Sequence, residues 1–313
     1  MFRSEGDFAR YERPRRPDLG GRSTIYGTKG AVACEHPAAA LAGLRVLDAG
    51  GTAADACVAM AAAMVVLSPM QTGMGGDAFL LYYEAETGQV TGIDGSGRAP
   101  GAVTLDKLLD LGHDEMPERG GLTVTVPGAV RLWEDAVNRF GNQPLARLLE
   151  PAWELAENGH PVAEVVARYW AEHEGVLRNN EAATRTFLPE GRPPVAGEIF
   201  SQVDLAATIS AVAEDGADTF YRGEIAKRTA RSVREAGGYL GEEDLAAHES
   251  TFVEPISTTY RGVRVYEIPP PGQGVTVLEM LNILEGFEFS SLGPTSADRI
   301  HLEVEAKKLA FGD

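Results

Sequence analysis

Residues 53–67 carry a single charged side chain, Asp55, and are apolar on nearly every face of a helix. A helix without a polar stripe has no side to turn toward water, so other elements must enclose it. Thr52, with Asp55 three residues later, makes a capping-box start, and Ser68-Pro69 makes a stop. The stretch falls short of the roughly 18 apolar residues that a membrane span needs, so we read it as the centre of a soluble core. Directly after it comes Thr72-Gly73-Met74-Gly75-Gly76-Asp77-Ala78-Phe79. Glycine lacks a Cβ, so this loop can let another segment or a ligand come close to its backbone. The residues alone allow a cradle beside an active site or a tight turn where helix and strand pack.

The flanking segments supply the enclosure. Gly30 to Cys34 reads as a short buried strand. His36-Pro37 opens a helix, with Leu41, Leu44, Val46 and Leu47 as its apolar face and Gly50-Gly51 as its stop. His36 could act as a ligand or base, but at a helix start beside a proline we read it as structural. Phe79 to Tyr83 is a continuous apolar run, expected of a strand covered on both faces, and Gln89 to Asp94 returns as its hairpin partner. That hairpin delivers Asp94-Gly95-Ser96-Gly97-Arg98-Ala99-Pro100 to one end of the sheet, near the glycine loop. Arg98 offers a fork suited to a carboxylate. Read by itself, it is better explained as a partner of Asp94 or Asp77.

Farther on, Leu122 to Val126 reads as a strand and Ala129 to Phe140 as a helix. Helical periods follow at 144–158, 161–173, 203–215 and 224–236, while 180–197 is irregular and proline-rich. Residues 262–268 alternate as a strand, and Pro269 to Gly274 is a second close-approach loop. Helices at 275–284 and 297–311 complete the sequence. We find no internal repeat and no domain linker, and expect an irregular arm over 1–29 and a single domain over 30–313.

The 28 basic and 46 acidic residues give a net charge of −18, which repels nucleic-acid phosphates and anionic membranes. Cys34 and Cys57 lie in alanine-rich surroundings and form no framework, so we read both as small core residues in a reducing compartment. No apolar core follows the arginines of residues 1–22, and a cytoplasmic location is expected. His301 and Glu305 share a helix face but lack a third metal ligand.

Taken together, several motifs resemble the gamma-glutamyltransferase family of N-terminal-nucleophile hydrolases. They are Ala-Gly-x-x-x-Leu-x-x-Gly-Gly-x-Ala-x-Asp-Ala from Ala42 to Ala56, Gly73 to Phe79, and Arg98-Ala99-Pro100. Val126-Pro127-Gly128, Phe220-Tyr221-x-Gly223, Tyr260-Arg261-Gly262, Pro270 to Gly274 and Glu305-Ala306-Lys307 agree with them. The resemblance implies an α+β fold, the large-chain part of an αββα sandwich made as one precursor. It also implies self-cleavage that exposes a threonine, which attacks a gamma-glutamyl amide before water or an amine resolves the acyl-enzyme. A threonine hydroxyl is a weak nucleophile, and its own free amine serves as the base.

The family places that threonine beyond Asp313, so no catalytic residue is expected within this chain. Thr258-Thr259 precedes Tyr260-Arg261-Gly262, which the family puts on a structural strand. The expected partners are the small chain and a small amide with an acidic acyl group, and the chemistry needs neither cofactor nor metal. Transferases proper carry Arg-Glu-x-Ala-Pro, whose arginine binds the glutamyl α-carboxylate. Here Ser96 and Gly97 occupy the first two of those positions, and Arg98 lies two residues beyond Ser96. That form looks more like the amidohydrolase and acylase branch, whose members act on oxamate or acyl cephalosporins. We therefore expect Arg98 and Ser96 to meet an acidic acyl group, with Gly75, Gly76 and Asp77 lining the site. A reading of another class, a non-catalytic binding protein or relic, is told apart by whether the frame continues past Asp313 into a threonine-bearing chain.

Overall fold

The structure is a computed structural model that describes residues 24–313. The chain divides into two compact units, residues 1–31 and 32–313. In the first, residues 24–31 form neither helix nor strand and are exposed. The arginine-rich residues 1–22 lie outside the described residues. The strand expected at 30–34 does not form.

The second unit is α+β. Its helices are α1 (Pro37–Asp48), α2 (Ala53–Leu67), α3 (Leu105–Asp110), α4 (Ala129–Phe140), α5 (Leu145–Asn158), α6 (Glu164–Glu172) and α7 (Glu174–Leu177). They continue with α8 (Glu181–Phe187), α9 (Val203–Asp215), α10 (Asp218–Tyr221), α11 (Gly223–Glu235), α12 (Glu242–Ala246), α13 (Gly274–Glu285) and α14 (Ala297–Ala310). The strands are β1 (Phe79–Glu84), β2 (Gln89–Asp94), β3 (His160–Pro161), β4 (Ile199–Phe200), β5 (Thr251–Val253), β6 (Ile256–Tyr260) and β7 (Val263–Glu267). They form three antiparallel sheets, ordered β1-β2-β5, β3-β4 and β6-β7. No helix among the described residues is long and apolar enough to cross a membrane.

Helix α2 is enclosed as its composition demands, by α1, α4 and α5. Its start is the expected capping box, and it is tied further into the fold. The fully buried Asp55 accepts the Thr52 N–H at 2.8 Å and the Asn142 N–H, from the α4–α5 turn, at 3.0 Å. Cys57 departs from expectation. It sits on the one side of α2 that reaches the surface, and is exposed, while Cys34 is half-buried.

Helix α1 also presents a different face from the one its leucines suggest. Ala39, Ala42, Gly43 and Val46 are buried, whereas Leu41 and Leu44 face outward. A Cβ at Gly43 would lie 2.7 Å from Met60 Cγ, so α1 approaches α2 too closely for leucines at the contact. His36 is the N-cap of α1, its Nδ1 accepting the Ala38 N–H at 3.2 Å.

The β1–β2–β5 sheet packs one face on the helices. Ile93 is fully buried, and Tyr82 stacks on Phe140 with centroids 4.2 Å apart. The opposite face of β1, with Phe79, Leu81 and Tyr83, is exposed. The expectation of a strand covered on both faces is therefore met on one face of β1 only. The strand expected at 122–126 is instead a 3-10 turn over Gly121–Thr123 followed by irregular backbone. Residues 180–197 contain α8, capped by Asn180, where irregular chain was expected.

Candidate functional site

The site is built where three segments distant in sequence cross on glycines. The carbonyl of Gly76 accepts the N–H groups of Gly128 and Ala129, both at 3.0 Å, and so caps α4. The Gly95 N–H donates to the Ala78 carbonyl at 3.0 Å, and the Val126 N–H donates to the Arg98 carbonyl at 3.0 Å. At this junction two positions have no room for a side chain. A Cβ on Gly97 would stand 1.5 Å from the Val126 carbonyl oxygen, and one on Gly128 would stand 1.7 Å from that of Gly95. Close packing of backbone on backbone is what the glycines are for.

The two carboxylates near Arg98 are occupied with backbone. Asp94 Oδ1 accepts the Ser96 N–H at 2.8 Å, closing a local turn, and Asp77 Oδ1 accepts the Gly97 N–H at 3.2 Å. The ion pair that the residues alone favoured for Arg98 does not form. Among the described residues the Arg98 side chain makes no hydrogen bond or salt bridge, and it stands exposed at the mouth of a cavity of about 480 Å³. Ser96 and Gly97 line that cavity with it.

Gly75 and Gly76 do not reach the cavity wall. Gly76 acts through its carbonyl, and a Cβ on Gly75 would meet nothing within 4 Å. Asp77 holds the loop backbone rather than pointing a free carboxylate into the space. The glycine loop is thus a support beneath the arginine loop. On its other side it borders a second cavity of about 620 Å³, lined by Thr72, Gly73, Met74, Arg185 and Phe187.

Sequence reasoning did not place Asp244, His248, Glu249 or Pro271 at the Arg98 cavity, which they line. Asp244 Oδ1 accepts the Gly101 N–H at 2.9 Å and its Oδ2 accepts the Gly241 N–H at 2.9 Å, which fixes the floor. Pro271 lies in the proline loop that was legible as a close-approach segment. His248 follows α12 with no patterned neighbours to mark it. It is only 8% exposed, stacks on Tyr221 at 5.3 Å, and its Nε2 is buried with no partner in good hydrogen-bond geometry. Burial, and next the charge of Arg131, hold its pKa below the ordinary value against opposing pulls from Asp77, Asp135 and the backbone of Gly128.

The other sequence candidates lie elsewhere. Thr258 and Thr259 sit mid-strand on β6, opposite Val265 and Arg264, and Thr258 hydrogen-bonds Asn282. Glu305 pairs with Lys308 at 2.8 Å rather than joining His301 in a ligand set.

A helical layer on an antiparallel sheet, with an unpaired arginine held at the sheet's end, is the large-chain half of an N-terminal-nucleophile hydrolase fold. The chain belongs to the gamma-glutamyltranspeptidase family, whose model matches residues 39–313. It is 38% identical over 291 residues to the glutathione hydrolase-like YwrD proenzyme of Bacillus subtilis (strain 168), covering 93% of this chain and 55% of that protein. The crystal structure of a cephalosporin acylase from Bacillus halodurans matches with a TM-score of 0.87 at 41% identity, over 96% of this chain and 57% of that one. Helicobacter pylori gamma-glutamyltranspeptidase matches with a TM-score of 0.86 at 30% identity, over 92% of this chain and 84% of that one. The chain spans about half the length of the curated relatives it matches.

Proposed function

We propose that this chain is the large-chain part of a self-processing amide-cleaving enzyme, with the nucleophilic threonine supplied by the small chain of the same precursor. Family membership and the proenzyme relatives support this reading. In it, the threonine attacks the amide carbonyl, its free amine takes the proton, and backbone N–H groups hold the oxyanion. Water or an acceptor amine then releases the acyl group.

What this chain adds is acyl recognition, carried by one observation. Arg98 is a cation without a carboxylate partner, on a loop locked in place, at the mouth of a cavity. An acidic acyl group supplies the missing partner, and gamma-glutamyl amides, glutathione among them, have one. A second reading within the family follows from Gly97. A glutamate there, as in Arg-Glu-x-Ala-Pro, would clash with Val126, so the loop holds its own conformation with the cation displaced to Arg98. That favours the amidohydrolase and acylase branch, with oxamate-like amides or acyl cephalosporins as substrates.

A kinetic panel on the full-length protein decides between them. Gamma-glutamyl anilide, oxamate and an acyl cephalosporin are compared by kcat/KM in wild type and Arg98→Ala. A charge-assisted contact is worth about 1.5–3 kcal/mol, so Arg98→Ala should raise KM about 10- to 100-fold for the preferred acidic substrate. An unchanged KM would remove Arg98 from recognition. A preference for the anilide would select the transferase reading, and a preference for either of the others the second.

A further inference from the structure

We propose that the second cavity, on the other side of the glycine loop, is a binding site for a small zwitterion: an amino acid or dipeptide with an apolar side chain. The inference does not draw on the reading of Arg98. The cavity's apolar wall is held from behind. Trp170 is fully buried and packs edge-on against Phe187 and Phe200, with centroids 6.0 and 4.7 Å apart. Its indole N–H donates to the Phe187 carbonyl at 2.7 Å. Phe187 and Phe200 in turn line the cavity, and the glycine loop contributes the buried Met74. Gln202, also in the lining, is buried and fixed at both ends. Its backbone N–H donates to the Ala156 carbonyl at 2.8 Å, and its side-chain amide donates to the Val66 carbonyl at 3.0 Å. A cavity of about 620 Å³ so supported stands open without a ligand and has room for one of this size.

Two charged side chains line the cavity, one of each sign: Arg185 in the last turn of α8 and Asp204 in the first turn of α9. Among the described residues neither side chain makes a hydrogen bond or salt bridge, so they are not paired with each other. Helix α9 also starts without a side-chain cap, and the N–H groups of Val203, Asp204 and Leu205 find no acceptor among the described residues. A carboxylate suits the guanidinium fork and these N–H groups. Alone, it would meet Asp204 as a like charge. An ammonium on the same molecule turns that conflict into a second contact, and the wall of Met74, Phe187 and Phe200 takes an apolar side chain. An acceptor amine attacks an acyl group only when unprotonated, whereas a carboxylate partner keeps an amine protonated. The site therefore holds its ligand rather than presenting it to the acyl-enzyme.

The test is calorimetric titration of the full-length, processed protein with phenylalanine and with the dipeptide Phe-Leu. At least one of them should bind with a Kd below about 5 mM. Its N-acetylated and C-amidated forms each lack one charge, and each should bind about 10-fold or more weakly. Arg185→Ala should weaken the zwitterion by a similar factor. Asp204→Asn should do the same while binding the N-acetylated form no more weakly than wild type does. Both replaced side chains are exposed, so the variants should melt with wild type. Arg98→Ala, at the other cavity, should bind the zwitterion as wild type does. A Kd above that limit for both probes, or an affinity unmoved by Arg185→Ala or by Asp204→Asn, overturns the inference. Loss of binding in Arg98→Ala also overturns it, by placing the zwitterion at the acyl site, and leaves the reading of Arg98 intact.

Discussion

Gly97 has room for a hydrogen and nothing more. A methyl group at 1.5 Å from the Val126 carbonyl forces the loop or residues 126–128 to move. Overpacking of this kind costs about 1–3 kcal/mol, so Gly97→Ala should lower the melting temperature and raise KM together. Gly75→Ala is the matched control, since a Cβ there meets nothing, and its stability should stay within about 0.5 kcal/mol of wild type. Equal melting temperatures for the two variants would show that the junction yields. The sequence made the glycine loop legible as a place of close approach and set 94–100 near it, but did not reveal 126–128 as the third segment, because that stretch joins them only in the fold. It also left Arg98 with nearby acids, and only the backbone hydrogen bonds of Asp77 and Asp94 show that those acids are taken. His248 had no signal at all. Its place at the cavity comes from a ring stack on Tyr221 that only the fold makes.

At the scale of elements, helix α2 was readable because burial on most sides leaves a composition almost without charge. Asp55 shows how the pattern is completed. Its carboxylate serves both the helix start and the turn after α4, and a Cβ on Gly141 would lie 2.2 Å from its Oδ1. Asp55→Ala removes the acceptor of the Thr52 and Asn142 N–H groups, the first of them the capping bond, so a loss of about 1–3 kcal/mol is expected in denaturant unfolding of the full-length protein. A loss under about 0.5 kcal/mol would mean that water reaches both donors. The face of α1 was misread for a physical reason. Leucine spacing marks an apolar stripe, but a helix crossing as close as α1 on α2 selects alanine and glycine instead. The alternation at 122–126 looked like a strand, yet the partner waiting there is a loop, and Val126 makes its ladder-like bond to Arg98. The short helix α8 was hidden by the prolines that follow it.

For the whole molecule, the buried histidines set a pH dependence. His160 is 2% exposed with neither ring nitrogen in good hydrogen-bond geometry, and burial pushes its pKa below the ordinary 6.5. Burial acts on His36 and His248 in the same direction. The unfolded chain then binds protons that the folded chain refuses, so this part of the stability is complete above about pH 6.5 and declines as pH falls below it. Melting temperatures of the full-length protein at falling pH should show the decline, and His160→Phe should flatten it. A profile level down to about pH 5 would mean that these rings accept protons within the fold.

The uncovered face of β1 has a consequence for how this chain behaves when handled by itself. Phe79, Leu81 and Tyr83 form an exposed apolar stripe on one face of the sheet, and such a stripe on one copy is complementary to the same stripe on another. What keeps copies apart is their shared charge of −18, a repulsion that acts over about 8 Å at physiological ionic strength and less as salt is added. The chain's colloidal behaviour is therefore a contest between a short-range attraction that salt leaves intact and a long-range repulsion that salt removes.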